Sequence, residues 1–146
     1  MSTCTFFGHH DCLPDVKPAL RAAVIDLALN QSVDSFLVGN HGAFDRMVLS
    51  VLREMKAVYP HISYTVVLAY MPQKEEEWND LDYSETMLPE GIELVPRRFA
   101  ISWRNRWMLS QSAFVITCID HSWGGAAQFA EMAERQKKTV IRLGKR

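Results

Sequence analysis

Residues 113–133, AFVITCIDHSWGGAAQFAEMA, constrain the fold of this chain more than any other stretch. An apolar, β-branched run over 113–119 ends in the polar Asp120, His121 and Ser122, followed by Trp123. The pair Gly124-Gly125 then opens an alanine-rich helical segment. Strand, glycine turn and helix in that order make a corner where backbone N–H groups at a helix N-terminus can approach an anion.

The rest of the chain repeats this alternation. Short apolar strands are expected at 3–7, 35–38, 63–70, 92–95, 113–119 and 139–143. Between them, Leu20, Ala23, Val24, Leu27 and Ala28 recur at helical spacing over 15–30. Phe44, Met47, Val48, Val51, Leu52 and Met55 share one face of a second helix that Pro60 ends. Ser102 is placed to cap a third helix over 102–111, and a fourth follows Gly125 to about residue 136. Residues 71–91 are acidic, bounded by prolines and aperiodic. They read as an insertion or lid with one short helix near 75–80. The expected fold is α/β: one three-layer Rossmann-like domain over 1–146, with an open, mostly parallel sheet of about six strands and helices on both faces.

Charge and cysteine content set expectations for partners and compartment. The formal net charge is −1, which supplies no overall field for nucleic acid or an anionic membrane, so a nucleic-acid partner is not expected. No apolar run approaches the roughly 20 residues of a membrane span, and the N-terminus lacks the pattern of a signal peptide. Three cysteines, an odd and sparse set, suggest reduced thiols in a cytoplasmic protein, with Cys4 and Cys118 in the core and Cys12 the more reactive.

Ligands of open parallel sheets bind beyond the C-terminal strand ends. There the sequence places a second glycine corner, Gly39-Asn40-His41-Gly42, in addition to Gly124-Gly125. Two corners in one small sheet point to an anionic ligand. Gly8, His9 and His10 follow the first strand, with a histidine ring expected to donate to phosphate or ribose. Asp45 lies in the first turn after the second corner. Arg97, Arg98, Arg104 and Arg106 interleave with Phe99, Trp103 and Trp107. Arg98 stands just past a strand end and Arg104 is expected to face the crevice. His9, His10, His41 and His121, with Asp11, Cys12, Cys118 and Asp120, have the donor chemistry for a metal. They lack an i,i+4 His pair or a CxxC, so no metal and no other cofactor is expected.

FFGHHD at 6–11, VGNHGAFDR at 38–46, RNRWMLSQSAFVI at 104–116 and GGAAQFAE at 124–131 together resemble the SLOG superfamily, the Rossmann-like group of Lonely Guy phosphoribohydrolases, YpsA-like proteins and DprA-like proteins. The resemblance covers nearly the whole chain. It implies a nucleotide site lined by Asn105 beside Arg104, and by Gly124, Gly125 and Ala126 at the corner. In the Lonely Guy pattern Arg104, four residues before Met108, and Glu131, at the final Glu position, would be catalytic. Ala127 and Gln128 replace the third glycine and the threonine of that pattern.

The leading expectation is therefore a sensor or binding module for a nucleotide or nucleotide-derived small molecule at the C-terminal edge of the sheet. The alternative is a phosphoribohydrolase cleaving the N-glycosidic bond of a nucleoside monophosphate with Glu131 and Arg104. A metal-dependent enzyme using the loop histidines is the weaker alternative. A DprA-like DNA-handling role is set aside for want of a basic surplus. Superfamily members are often dimers, so a homodimer is expected.

Overall fold

The computed structural model describes residues 2–9, 12, 14–72 and 81–143. Six strands, β1 (Ser2–Gly8), β2 (Val33–Val38), β3 (Ser63–Val67), β4 (Thr86–Met87), β5 (Phe114–Cys118) and β6 (Thr139–Arg142), form one sheet in the order β4-β3-β2-β1-β5-β6. Every neighbouring pair is parallel. Among the described residues four α-helices connect them: α1 (Lys17–Asn30), α2 (Ala43–Val58), α3 (Arg97–Ser110) and α4 (Gly125–Arg135). The fold is α/β and Rossmann-like.

The period of two in the strands divides the core between the faces. Cys4 and Phe6 of β1, Phe36 and Val38 of β2, and Ile116 and Cys118 of β5 pack with Leu20, Val24 and Leu27 of α1 and Val48 and Leu52 of α2. The intervening Phe7, Leu37, Val67 and Val115 meet Met108 and Leu109 of α3 and Phe129 and Ala133 of α4. Strands buried on both faces read as continuous apolar runs, which is why the central strands were legible. Thr5, fully buried on β1, satisfies its hydroxyl by donating to the Leu37 carbonyl oxygen at 2.9 Å.

The chain runs outward from β1 through β2 and β3 to β4, then returns to lay β5 on the other side of β1. The reversal in strand order thus falls between β1 and β5, where Gly8 is in register with Cys118.

Three local expectations change. Residues 92–95, read as a strand, form a 3-10 turn at Ile92–Leu94 behind the left-handed Gly91 (φ 92°). The sheet takes its fourth strand instead from Thr86–Met87, inside the segment read as an insertion. This short strand docks through Glu85: Arg53 of α2 donates to its two oxygens at 2.9 and 2.6 Å, and the Tyr64 hydroxyl donates to it as well. The Arg53 hydrogen bonds hold the Glu85 carboxyl down at about 2. Helix α3 begins at Arg97, behind Pro96, six residues earlier than the Ser102 cap implied. The short helix expected at 75–80 lies outside the described residues.

The cysteines also depart from expectation. Cys12 and Cys118, 106 residues apart in sequence, are joined as a disulfide with their Cα atoms 6.7 Å apart. Cys4 is free and buried, and burial pushes its thiol well above the usual range. Among the described residues no helix is long and apolar enough to cross a membrane.

Candidate functional site

A crevice of about 510 Å³ opens at the C-terminal ends of β1 and β5, between the first turns of α2 and α4. Its two sides are built alike. Gly42, ahead of α2, has φ 95° and ψ 171°, and Gly124, ahead of α4, has φ 97° and ψ 169°. A side chain is strained at such φ values, so glycine is required at both corners. The first helical bonds run from Arg46 N–H to the Gly42 carbonyl and from Gln128 N–H to the Gly124 carbonyl. Neither capping glycine supplies a side-chain acceptor. The N–H groups of each first turn and the positive end of each helix dipole are thereby left for an anion.

Arg104 of α3, 2 % exposed, fixes one of these corners from behind. Its Nε donates to Asn105 Oδ1 at 2.8 Å. Its Nη1 donates to Asn40 Oδ1 at 3.1 Å and to the Val67 carbonyl at 2.9 Å. Its Nη2 donates to His41 Nδ1 at 3.3 Å. Since a guanidinium only donates, His41 Nδ1 must accept, leaving Nε2–H to face the Tyr70 hydroxyl 3.3 Å away. Gly39 sits against this cluster: a Cβ there would lie 2.9 Å from both Arg104 Cζ and Asp45 Oδ2, so the close approach admits no side chain.

Asp45 reaches back from the first turn of α2 to accept the His41 N–H at 2.9 Å. Burial pushes its carboxyl up to about 6, against the opposing pull of Arg104 and the His41 N–H. This linkage has a definite sign. The folded chain holds the Asp45 proton to higher pH than the unfolded chain, whose ordinary value is 3.8. The resulting stabilisation is complete below about 3.8 and is lost as pH rises through about 6.

Across the crevice three aromatic rings are stacked. His9 and His121 have centroids 3.5 Å apart and planes 16° from parallel; His121 and Trp123 are 3.9 Å apart at 22°. His9 is buried, whereas Trp123 is 69 % exposed.

The residues expected from sequence are distributed as follows. Gly8, His9, Gly42, Asp45, Arg104 and Asn105 line the crevice, as do Gly124, Gly125 and Ala126. Gly39 and Asn40 lie directly behind it, against Arg104. Arg98 is exposed, with its guanidinium 4.8 Å over the Phe99 ring, and does not line the crevice. His10 lies outside the described residues. Glu131 is exposed and lines a separate pocket with Thr117, Glu134 and Arg142. Its position six residues past Gly125 takes it round the helix to the β6 side. Arg104, expected to face the crevice as a catalytic residue, spends four of its five N–H donors on the protein and acts mainly as a brace. The aromatic stack was not singled out from sequence; its one local signal was a tryptophan directly before a glycine corner. Among the described residues no group of three His, Cys, Asp or Glu side chains is placed to hold a metal ion.

No family model and no curated protein matches the sequence. The structure resembles DNA processing protein A from Helicobacter pylori, with TM-score 0.64 and 13 % identity, over 97 % of this chain and 64 % of that one. It also resembles DNA processing protein A (DprA) from Streptococcus pneumoniae, with TM-score 0.71 and 13 % identity, over 97 % of this chain and 50 % of that one. The chain thus spans from half to just under two thirds of these proteins. The H. pylori protein is described as binding single-stranded DNA in a unique mode.

These neighbours correct the sequence reading. They are DNA processing proteins rather than the YpsA-like or Lonely Guy-like proteins to which the motifs were assigned, and they overturn the small-molecule sensor and hydrolase readings. The placement of Glu131 outside the crevice gives a physical reason for dropping the hydrolase and its Glu131–Arg104 pair. The expectation that nucleic acid is not a partner is also overturned. It rested on a chain-wide charge balance that adds the acidic residues of 75–93 to the arginines of α3, a helix without a single carboxylate.

Proposed function

We propose that this chain binds single-stranded nucleic acid, with successive backbone phosphates held at the two glycine corners of the crevice. One observation carries the reading: two helix N-termini, opened by glycines of the same conformation, flank a single crevice at the reversal of strand order. A polyanion with regularly repeated phosphates can occupy both corners at once. The exposed Arg97 and Arg98, at the start of α3, add positive charge on the side of the helix nearer the crevice. The single-stranded DNA bound by the H. pylori neighbour supports the same choice of ligand. A nucleic-acid partner goes with a cytoplasmic location, whereas the Cys12–Cys118 disulfide departs from the reduced thiols expected there.

The test is fluorescence anisotropy with a labelled oligothymidylate of about 20 nucleotides, the length being a choice of convenience above typical single-strand site sizes. Saturable binding is expected, and the logarithm of affinity should fall with the logarithm of salt at about −0.7 per phosphate paired with an arginine at the start of α3. No binding at low salt contradicts the proposal.

Asp45 makes the interaction depend on pH. Above about 6 its carboxylate is charged beside the α2 corner and repels phosphate; below that value it is neutral. Affinity should therefore rise as pH is lowered from 7.5 to 5. The comparison that isolates this carboxyl is with Asp45→Asn. That variant should bind more tightly than wild type at pH 7.5 and converge with it at pH 5. Parallel pH profiles for the two proteins would remove Asp45 from the site.

A further inference from the structure

We infer that the outer face of Trp123 is a stacking platform for one unpaired nucleobase, held in place by the histidine rings beneath it. The inference rests on the single-strand reading above and adds to it the part of the site that recognises a base.

The spacing of the rings fixes their order. His121 has near-parallel neighbours at 3.5 and 3.9 Å, and two rings that close cannot share one face, so His121 is sandwiched between His9 and Trp123. One face of Trp123 is therefore covered by His121. With 69 % of the residue exposed, its other face is open to solvent at the rim of the crevice.

The stack is fixed by polar contacts at each level. His9 N–H donates to the Cys118 carbonyl at 3.2 Å, tying the buried ring to the end of β5. His9 Nε2 lies 3.3 Å from the His121 carbonyl oxygen and 3.4 Å from the His121 main-chain N–H, so in either tautomer the ring is bonded to the His121 backbone. The His121 ring nitrogen Nδ1 lies 2.9 Å from the Trp123 carbonyl oxygen, which can only accept, so Nδ1 carries the hydrogen and donates. Gly124, one residue on, is the α4 corner itself. The platform and a phosphate-facing helix N-terminus are consecutive in sequence.

That juxtaposition suits a nucleotide within a strand, whose base and phosphate must be engaged together. A large aromatic face left in water is an apolar liability, and a ring already immobilised on a stack loses little further freedom when a base covers it. Every base has a π-face, so the contact tolerates any sequence. A paired base is stacked on both faces within its duplex and cannot cover Trp123 without being unstacked. The platform thus favours single strands over duplex.

The experiment compares wild type, Trp123→Ala and Trp123→Phe on two labelled strands of equal length, oligothymidylate and a strand of abasic residues. The exposed position of Trp123 predicts folded variants, checked by their thermal transitions. Expected results are about ten-fold or greater weakening of oligothymidylate binding by Trp123→Ala, a smaller effect of Trp123→Phe, and the same affinity of wild type and Trp123→Ala for the abasic strand. Equal oligothymidylate binding by wild type and Trp123→Ala overturns the platform and leaves the phosphate corners standing. Equal weakening on both strands also overturns it, because the ring would then not be reading a base. No binding of either strand by wild type overturns the platform together with the function on which it rests.

Discussion

Replacing Arg104 with alanine is expected to cost about 3–5 kcal/mol of folding stability and to abolish oligonucleotide binding. The guanidinium is 2 % exposed and hydrogen-bonded to Asn40, His41, Val67 and Asn105. Truncation leaves the Val67 carbonyl, at the end of β3, without this donor, and releases the Asn40-His41 segment ahead of the α2 corner. It also removes the positive charge that opposes burial at Asp45, so the carboxyl, already at about 6, should rise further. Lysine is not expected to restore the wild type: its ammonium keeps the charge but lacks the planar fork that reaches several acceptors at once. Urea unfolding of wild type, Arg104→Ala and Arg104→Lys at pH 7.5 measures the effect. A loss under about 1 kcal/mol for Arg104→Ala would contradict its role as a brace, since small losses are usual for exposed side chains.

Reduction of the Cys12–Cys118 disulfide is the second large expected effect. The bond closes a loop spanning 106 residues of sequence and ties the segment after β1 to the end of β5. Loops of this length gain about 4–5 kcal/mol in the chain-entropy account, with about 2–4 kcal/mol more typical of measured cases. The urea midpoint should fall accordingly on reduction, and Cys118→Ser should reproduce the fall without reductant. Thiol titration of the unfolded, unreduced protein should give one reactive group, from Cys4, and three after reduction. Three thiols without reductant would contradict the pairing. The bond also bears on the crevice, because Cys12 N–H donates to the His9 carbonyl and His9 N–H donates to the Cys118 carbonyl. Oligonucleotide affinity should therefore be lower in the reduced protein.

The sequence was most informative where burial imposes a period. The apolar runs of β1, β2, β3 and β5 and the one-sided face of α2 announced themselves, and with them the parallel sheet. Short elements held by tertiary contacts were hidden. Two-residue β4 depends on Arg53 and Tyr64 reaching Glu85, and nothing at Thr86–Met87 itself signals a strand. Ile92 and Leu94 looked like strand residues, yet only Ile92 is buried while Leu94 is 84 % exposed, as a 3-10 turn allows. Within the site, the glycine corners were readable because glycine punctuates a strand-to-helix turn visibly. The aromatic stack and the disulfide were not, since they join residues more than a hundred positions apart through the adjacency of β1 and β5. Glu131 illustrates the opposite error. A motif spacing suggested its role, but its place on α4 turns it toward β6.

In the proposed mode, both glycine corners belong to one site for single-stranded nucleic acid. Two-dimensional amide NMR of the 15N-labelled protein during titration with a short oligothymidylate tests it most directly. The amides of Ala43 and Phe44 at the start of α2, and of Gly125 and Ala126 at the start of α4, should shift together along one binding isotherm. A duplex of the same length should produce much smaller shifts at equal concentration. Shifts confined to one corner, or to surfaces away from the crevice, would contradict the account, as would a spectrum that the oligonucleotide leaves unchanged.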